Sequence, residues 1–238
     1  MPTRFIFVLL FLPNLVFASP NAERLQTIRI QAFKVCSNLL ADYNPNQHDS
    51  DPRYAERYRL ALQELEQLVV QEQEPLLIQT VKNMRQPIDE LERHPETNPQ
   101  LYPNWINPLL EAQARLDNQA AATYASLNVT ADKELSNRLN LDIERLQLLY
   151  QTRTFGSLGV YVMEVDDNTF AQLDQRIVRG FAALEQQRPD QAVELGKLKS
   201  SYEFIRPRLL KHELTWVPGG AAYYLGKVSD GLARLPAK

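Results

Sequence analysis

Leu25-Gln26-Thr27-Ile28-Arg29-Ile30-Gln31-Ala32-Phe33-Lys34-Val35-Cys36-Ser37-Asn38-Leu39 is the stretch on which the fold class turns. Leu25, Ile28, Ala32, Val35 and Leu39 step by 3, 4, 3 and 4 residues. At 3.6 residues per turn these positions fall on one stripe of a helix, whereas a strand would alternate every second residue. Asn44-Pro45-Asn46 closes the stretch, because proline lacks the donor that a continuing helix needs.

The same period recurs along the chain. Asp51 followed by Pro52 reads as a helix cap with proline at the first helical position. Tyr54, Tyr58, Leu62, Leu65 and Val69 then form a second stripe. Pro75 opens a third helix with Leu77, Val81, Met84, Ile88 and Leu91 inward. Three prolines between His94 and Pro103 mark a loop, and a fourth helix is predicted from about Asn107 to Ser126. Beyond Asn128, Thr130 reads as a cap, with Leu135, Leu139, Asp142, Leu146, Leu149 and Arg153 on one face. This fifth helix is expected to run through Gly156 and Gly159 to about Val165. Asp166-Asp167-Asn168 is a turn and cap before the stripe of Phe170, Leu173, Ile177, Phe181 and Leu184. Pro189 opens a helix carrying Leu195, Leu198, Tyr202, Ile205 and Leu209. Pro218-Gly219-Gly220 breaks the chain, and a last helix spans about Ala221 to Leu235.

The halves resemble each other. Glu23-Arg24-Leu25-Gln26 recurs as Glu144-Arg145-Leu146-Gln147, and Leu65-Glu66-Gln67 recurs as Leu184-Glu185-Gln186. Pro87 and Pro207 sit late in the third and seventh helices, and Trp105 and Trp216 precede Pro108 and Pro218. The offsets are 121, 119, 120 and 111. Four matches in one order predict an all-α fold of two tandem antiparallel four-helix bundle units, residues 19–128 and 129–238. The alternative is a single eight-helix bundle with accidental matches.

The chain has 238 residues, 44% hydrophobic and 23% charged, with a net charge of -3 and one cysteine. That composition excludes a disordered tail and a disulfide-stapled mini-protein. It offers no basic surplus for nucleic acid. Residues 1–18 read as a secretory signal, with Arg4 as the charged start, an apolar run from Phe5 to Phe17, and cleavage after Ala18. The expected location is the periplasm. The run is shorter than the roughly 20 apolar residues of a comfortable membrane span; the alternative is an uncleaved anchor. Cys36 has no cysteine to pair with. It reads as a small core residue, with a reactive thiol as the alternative.

Motifs for chemistry are sparse. Phe155-Gly156-Ser157-Leu158-Gly159 lacks the first glycine of a nucleophile elbow and follows a helix. His48, His94 and His212 are not at ligand spacing, so no metal site is expected. Glu64 with Glu66 and Glu72 with Glu74 read as carboxylates on a solvated face. Every glycine lies at or after Gly156, which leaves no glycine-rich phosphate loop. The chain is expected to be non-enzymatic and without a cofactor.

Ile28-Arg29-Ile30-Gln31-Ala32-Phe33-Lys34-Val35 resembles the P-box helix of bacterial nitrate/nitrite sensor domains and of the sensory domains of type IV pilus chemotaxis transducers. Arg29 and Gln31 match the family pattern Leu-Arg-Met-Gln-Ser-Tyr-Arg-Leu identically, and the other six are similar in type. The resemblance implies an extracytoplasmic four-helix bundle in which Arg29, with Gln31 beside it, binds a small anion at an interface. Physically, a guanidinium at the edge of an apolar stripe either takes an anion bidentately or pairs with Asp or Glu on a neighbouring helix. Tyr202 with Arg206, and Tyr150 with Arg153, read as packing pairs. The expected function is a soluble sensory-type ligand-binding module. The alternative is a structural adaptor of the cell envelope that binds a periplasmic, membrane or pilus-associated protein.

Overall fold

The structure, a computed structural model, describes residues 20–46, 51–94, 98–211 and 216–236. The segment read as an export signal, with its expected cleavage point at Ala18, lies outside the described residues, as do His48 and His212. The fold is all-α. Its elements are α1 (Pro20–Asp42), α2 (Pro52–Glu72), α3 (Pro75–Glu92), α4 (Pro103–Ala125), α5 (Ala131–Phe155), α6 (Thr169–Gln187), α7 (Ala192–Leu210) and α8 (Pro218–Arg234). Short 3-10 turns, Pro99–Leu101 and Pro189–Gln191, lead into α4 and α7.

The helix starts follow local chemistry. Proline stands in the first turn of α2, α3, α4 and α8, where its missing N–H leaves no bond unmade. Asp51 accepts from the Arg53 amide, Glu74 from that of Leu76, and Thr130 from that of Lys133. Pro189 opens a 3-10 turn, and α7 itself begins at Ala192.

Helix α1 packs on α2 and α4, and α3 packs on α4; α5 packs on α6 and α8, and α7 packs on α8. The helices thus fall into two groups, α1–α4 and α5–α8, an arrangement that fits two four-helix units. The groups meet where α1 lies against α5 and α8. One core contains Leu25, Phe33, Tyr58, Leu65, Met84 and Ile106; it also takes in Leu141 and Leu148 of α5. The other contains Ile143, Leu146, Phe181, Tyr202 and Leu225.

Two helices depart from the one-stripe pattern. In α1 every residue from Ile28 to Ala41 is buried except Lys34, and in α5 every residue from Leu139 to Thr152 is buried except Arg145. A helix covered on all sides sits at the centre of an assembly rather than on its surface. The paired helix starts are separated by 111, 117, 117 and 115 residues. Glu23 therefore stands in the first turn of α1 while Glu144 lies midway along α5, so the tetrapeptide match does not occupy equivalent depths.

Helix α5 ends at Phe155, ten residues before the expected Val165. Gly156 adopts φ 74°, the left-handed conformation that terminates a helix and that a Cβ disfavours. The following segment crosses both cores: Leu158 and Val162 pack on the first, Val160 and Met163 on the second. The Gly159 amide donates to Asn107 Oδ1 at 2.9 Å. A Cβ at Gly156 would meet no atom within 4 Å. Gly156→Ala should therefore lose about 1 kcal/mol, from backbone conformation alone, in urea unfolding, and Gly156→Asn should lose less.

Candidate functional site

Arg29 lies on α1 facing α4 and is buried, with its Nε 2.6 Å from Asp117 Oδ1. Asp117 also faces Arg145 of α5 at 3.6 Å; Arg145 reaches Asp142 at 3.6 Å; and Asp142 accepts two bonds from Arg176 of α6 at 3.0 and 3.1 Å. The charges alternate along Arg29–Asp117–Arg145–Asp142–Arg176. Both carboxylates are nearly inaccessible, so each depends on its arginines for compensation. The chain links α1 and α4 to α5 and α6 across the junction.

Gln31, the other residue that the resemblance singles out, points a different way. Its amide donates to Glu64 of α2 at 2.8 Å, and it lines two adjoining grooves between the helix groups. The larger, about 490 Å³, is bounded by Gln26, Lys34, Asn137, Asn140 and Arg188. Gln26 spans it to the Asn137 carbonyl at 3.0 Å. Arg188, 1% exposed, is held by Asp132 at 2.7 and 2.8 Å. The smaller, about 250 Å³, lies between α1 (Gln31, Lys34, Asn38), α2 (Arg57, Glu64), α5 (Glu144, Gln147) and α8 (Gly226, Asp230).

The α5 wall of these grooves is polar. Asn140, Glu144, Gln147 and Gln151 step by 4, 3 and 4 residues along one face and all are buried; the first three line the grooves, and Gln151 lies beyond them, donating to the Pro218 carbonyl at 2.9 Å. Asn140 Oδ1, both Glu144 carboxylate oxygens, Gln147 Oε1 and Gln151 Oε1 have no hydrogen-bond partner within the chain. A buried acceptor left unpaired costs roughly 1–3 kcal/mol.

Glu144 is the most exceptional of the four. It is 0% exposed, and burial pushes its carboxyl up to about 7. Lys34 and the Ser229 hydroxyl oppose that rise, while Asp230 adds to it. Ser229 is near but completes no hydrogen bond. Lys34 itself is bound to Asp230 at 2.6 Å. Its ammonium is held above the usual range by the carboxylates of Glu144, Asp230 and Glu64, which outweigh the opposing effect of burial.

The other residues singled out in the sequence are engaged structurally. Tyr202 and Arg206 both bind Asp174, at 2.8 Å and at 2.6 and 2.7 Å. The Tyr150 hydroxyl accepts from the Val217 amide, and Arg153 lies over the Phe170 ring. Glu66 pairs with Arg85 and Glu72 with Arg24, while Glu74 caps α3. Cys36 is wholly buried, and desolvation pushes its thiol far above the ordinary range. His94 stacks on Trp105. Among the described residues, no group of three or more His, Cys, Asp or Glu is placed to hold a metal ion.

The groove and junction residues that sequence reading did not single out as a site are Lys34, Glu144, Gln147 and Asp117. For Glu144 and Gln147 the one sequence signal is the 4-3-4 step of Asn140, Glu144, Gln147 and Gln151 along one face of α5. Comparison with protein-family models, curated proteins and solved structures gives no match.

Two outcomes are expected. Arg29→Ala leaves Asp117 buried with only the longer contact to Arg145, and should lower unfolding free energy by about 3 kcal/mol. Arg29→Met combined with Asp117→Leu should lose less than Arg29→Ala. Glu144 binds its proton more tightly folded than unfolded, where its carboxyl titrates near 4.5. Its contribution is present below that pH and is lost as pH rises through about 7. Glu144→Gln should remove this decline, so that urea titrations show it gaining on the wild type by on the order of 3 kcal/mol between pH 4.5 and 8.

Proposed function

We propose that this protein is an exported, non-enzymatic helical-bundle module of sensory type, which holds a small ligand in the grooves between its two helix groups. The observation that carries this reading is the buried polar wall of α5, where Asn140, Glu144 and Gln147 each hold acceptors with no partner in the chain and line the two cavities. Gln31 lines both cavities. Arg29, fixed by Asp117, acts in this reading as a positioning residue that holds α1 against α4 and keeps Gln31 and Lys34 in register. Residues 1–18 would direct the chain to the periplasm, with cleavage after Ala18.

A second reading, the envelope adaptor, is favoured by one feature. Phe204 is 66% and Tyr223 44% exposed, and both rings contact Tyr224, one tilted with centroids 4.7 Å apart and the other edge-on at 5.1 Å. Exposed aromatics grouped in this way suit a protein contact.

Protein recovered from the periplasm of an expressing bacterium should begin at Ser19. Its melting temperature should rise with at least one member of a panel of small amines, anions and polar metabolites. A flat panel on folded protein, with a partner retained through Phe204 and lost in Phe204→Ala, would replace the binding module with the adaptor.

A further inference from the structure

We infer that the smaller groove binds a small primary ammonium compound, with Glu144 as its counter-ion and Gln147 Oε1 as a second acceptor. This rests on the binding-module reading and specifies the ligand class. The groove's unpartnered atoms are of one kind. Glu144 offers two oxygens and Gln147 one, each buried and each able to accept. The neutral donors beside these oxygens, the Gln147 amide and the Ser229 hydroxyl of α8, carry no charge to balance the carboxylate. An ammonium carries three donors and a positive charge, and so supplies both missing terms at once.

The cations already present do not fill this role. The Lys34 ammonium is committed to Asp230 at 2.6 Å. Arg57 lies at the groove's α2 side, where its guanidinium comes within 3.9 Å of where a Cβ would stand on Gly226 of α8. Glu64 is engaged by Gln31. The carboxyl of Glu144 is thus left as the group whose charge the chain does not neutralise by contact. A volume of 250 Å³ corresponds to the share of liquid held by about eight waters. A short amine fits within that volume. A tail bearing a carboxylate would end near Arg57.

The test uses the exported protein at pH 8, where Glu144 is ionised, with three probes of one length: butylammonium, γ-aminobutyrate and butyrate. Titration calorimetry should show binding of the two amines and none of butyrate. Glu144→Gln, which keeps shape and removes charge, should weaken both amines at least tenfold while remaining folded. Arg57→Ala should weaken γ-aminobutyrate and leave butylammonium unchanged. Lys34→Met removes the internal competitor and should tighten both amines. Binding that survives Glu144→Gln, or butyrate binding as well as the amines, overturns the assignment. Amine binding seen only in Lys34→Met also overturns it, since Lys34 would then be the partner of Glu144. If the amines fail while another compound of the panel raises the melting temperature, the ligand class falls and the binding module stands. If no compound binds folded protein, both fall.

Discussion

The contact between α1 and α5 is the constraint from which the rest of the structure follows. Each helix is buried on every side through its middle turns, so neither can be finished by its own unit. Within each group of four, the partner helices cover part of the central helix, and the other group covers the remainder. Leu141 and Leu148 of α5 accordingly belong to the core built around α1. Separate units joined by a linker would leave those leucines, and the unpaired face of α1, in water. At about 25 cal/mol per Å² of apolar surface, that exposure is prohibitive for a chain of marginal net stability.

The seam is nevertheless not apolar. Asn44 and Asn46 bond to Thr154 at 2.5 and 2.6 Å, and Gln26 bonds to the Asn137 carbonyl. The arginine–aspartate chain runs alongside. Apolar side chains permit many sliding registers of one helix on another. Directional bonds at both ends of the seam permit few, because a shift of one turn would orphan several buried groups together. Register between α1 and α5 is what brings Lys34, on the first unit, opposite Glu144, on the second.

Surface-helix logic read most of the chain correctly. The stripes from Tyr54 to Val69 and from Phe170 to Leu184 fall inward in α2 and α6, because those helices have one covered face and one wet face. The same logic gave only part of α1 and α5. A single stripe of Leu25, Ile28, Ala32, Val35 and Leu39 does not announce that Gln31, Ser37 and Asn38 are also covered. Part of that covering comes from α5 and α8, more than a hundred positions away, and for Gln31 also from Glu64 of α2. The end of α5 was missed for a different reason: glycine is compatible with a weak helix as well as with a left-handed cap, and only the backbone distinguishes them. Arg29 was legible as a choice between anion and carboxylate, and Asp117 takes it. Glu64 read as solvated, and its exposure agrees; its place beside the groove depends on the angle at which α2 meets α1.

Glu144 was invisible as a site because its neighbours in sequence made it a repeat marker. Its counterpart by sequence, Glu23, is exposed and pairs with Lys133. The same tetrapeptide thus meets opposite environments, water in one half and a closed polar wall in the other. Stability by itself argues for glutamine or leucine at a position with no access to solvent and no contact partner. A carboxylate placed there costs stability once it ionises, and only a cation set against it would offset that cost. Buried ionisable groups tend to mark functional sites for this reason. The wall holding Glu144 is also the surface on which the two helix groups meet, and the Lys34–Asp230 pair at 2.6 Å joins α1 to α8 beside it.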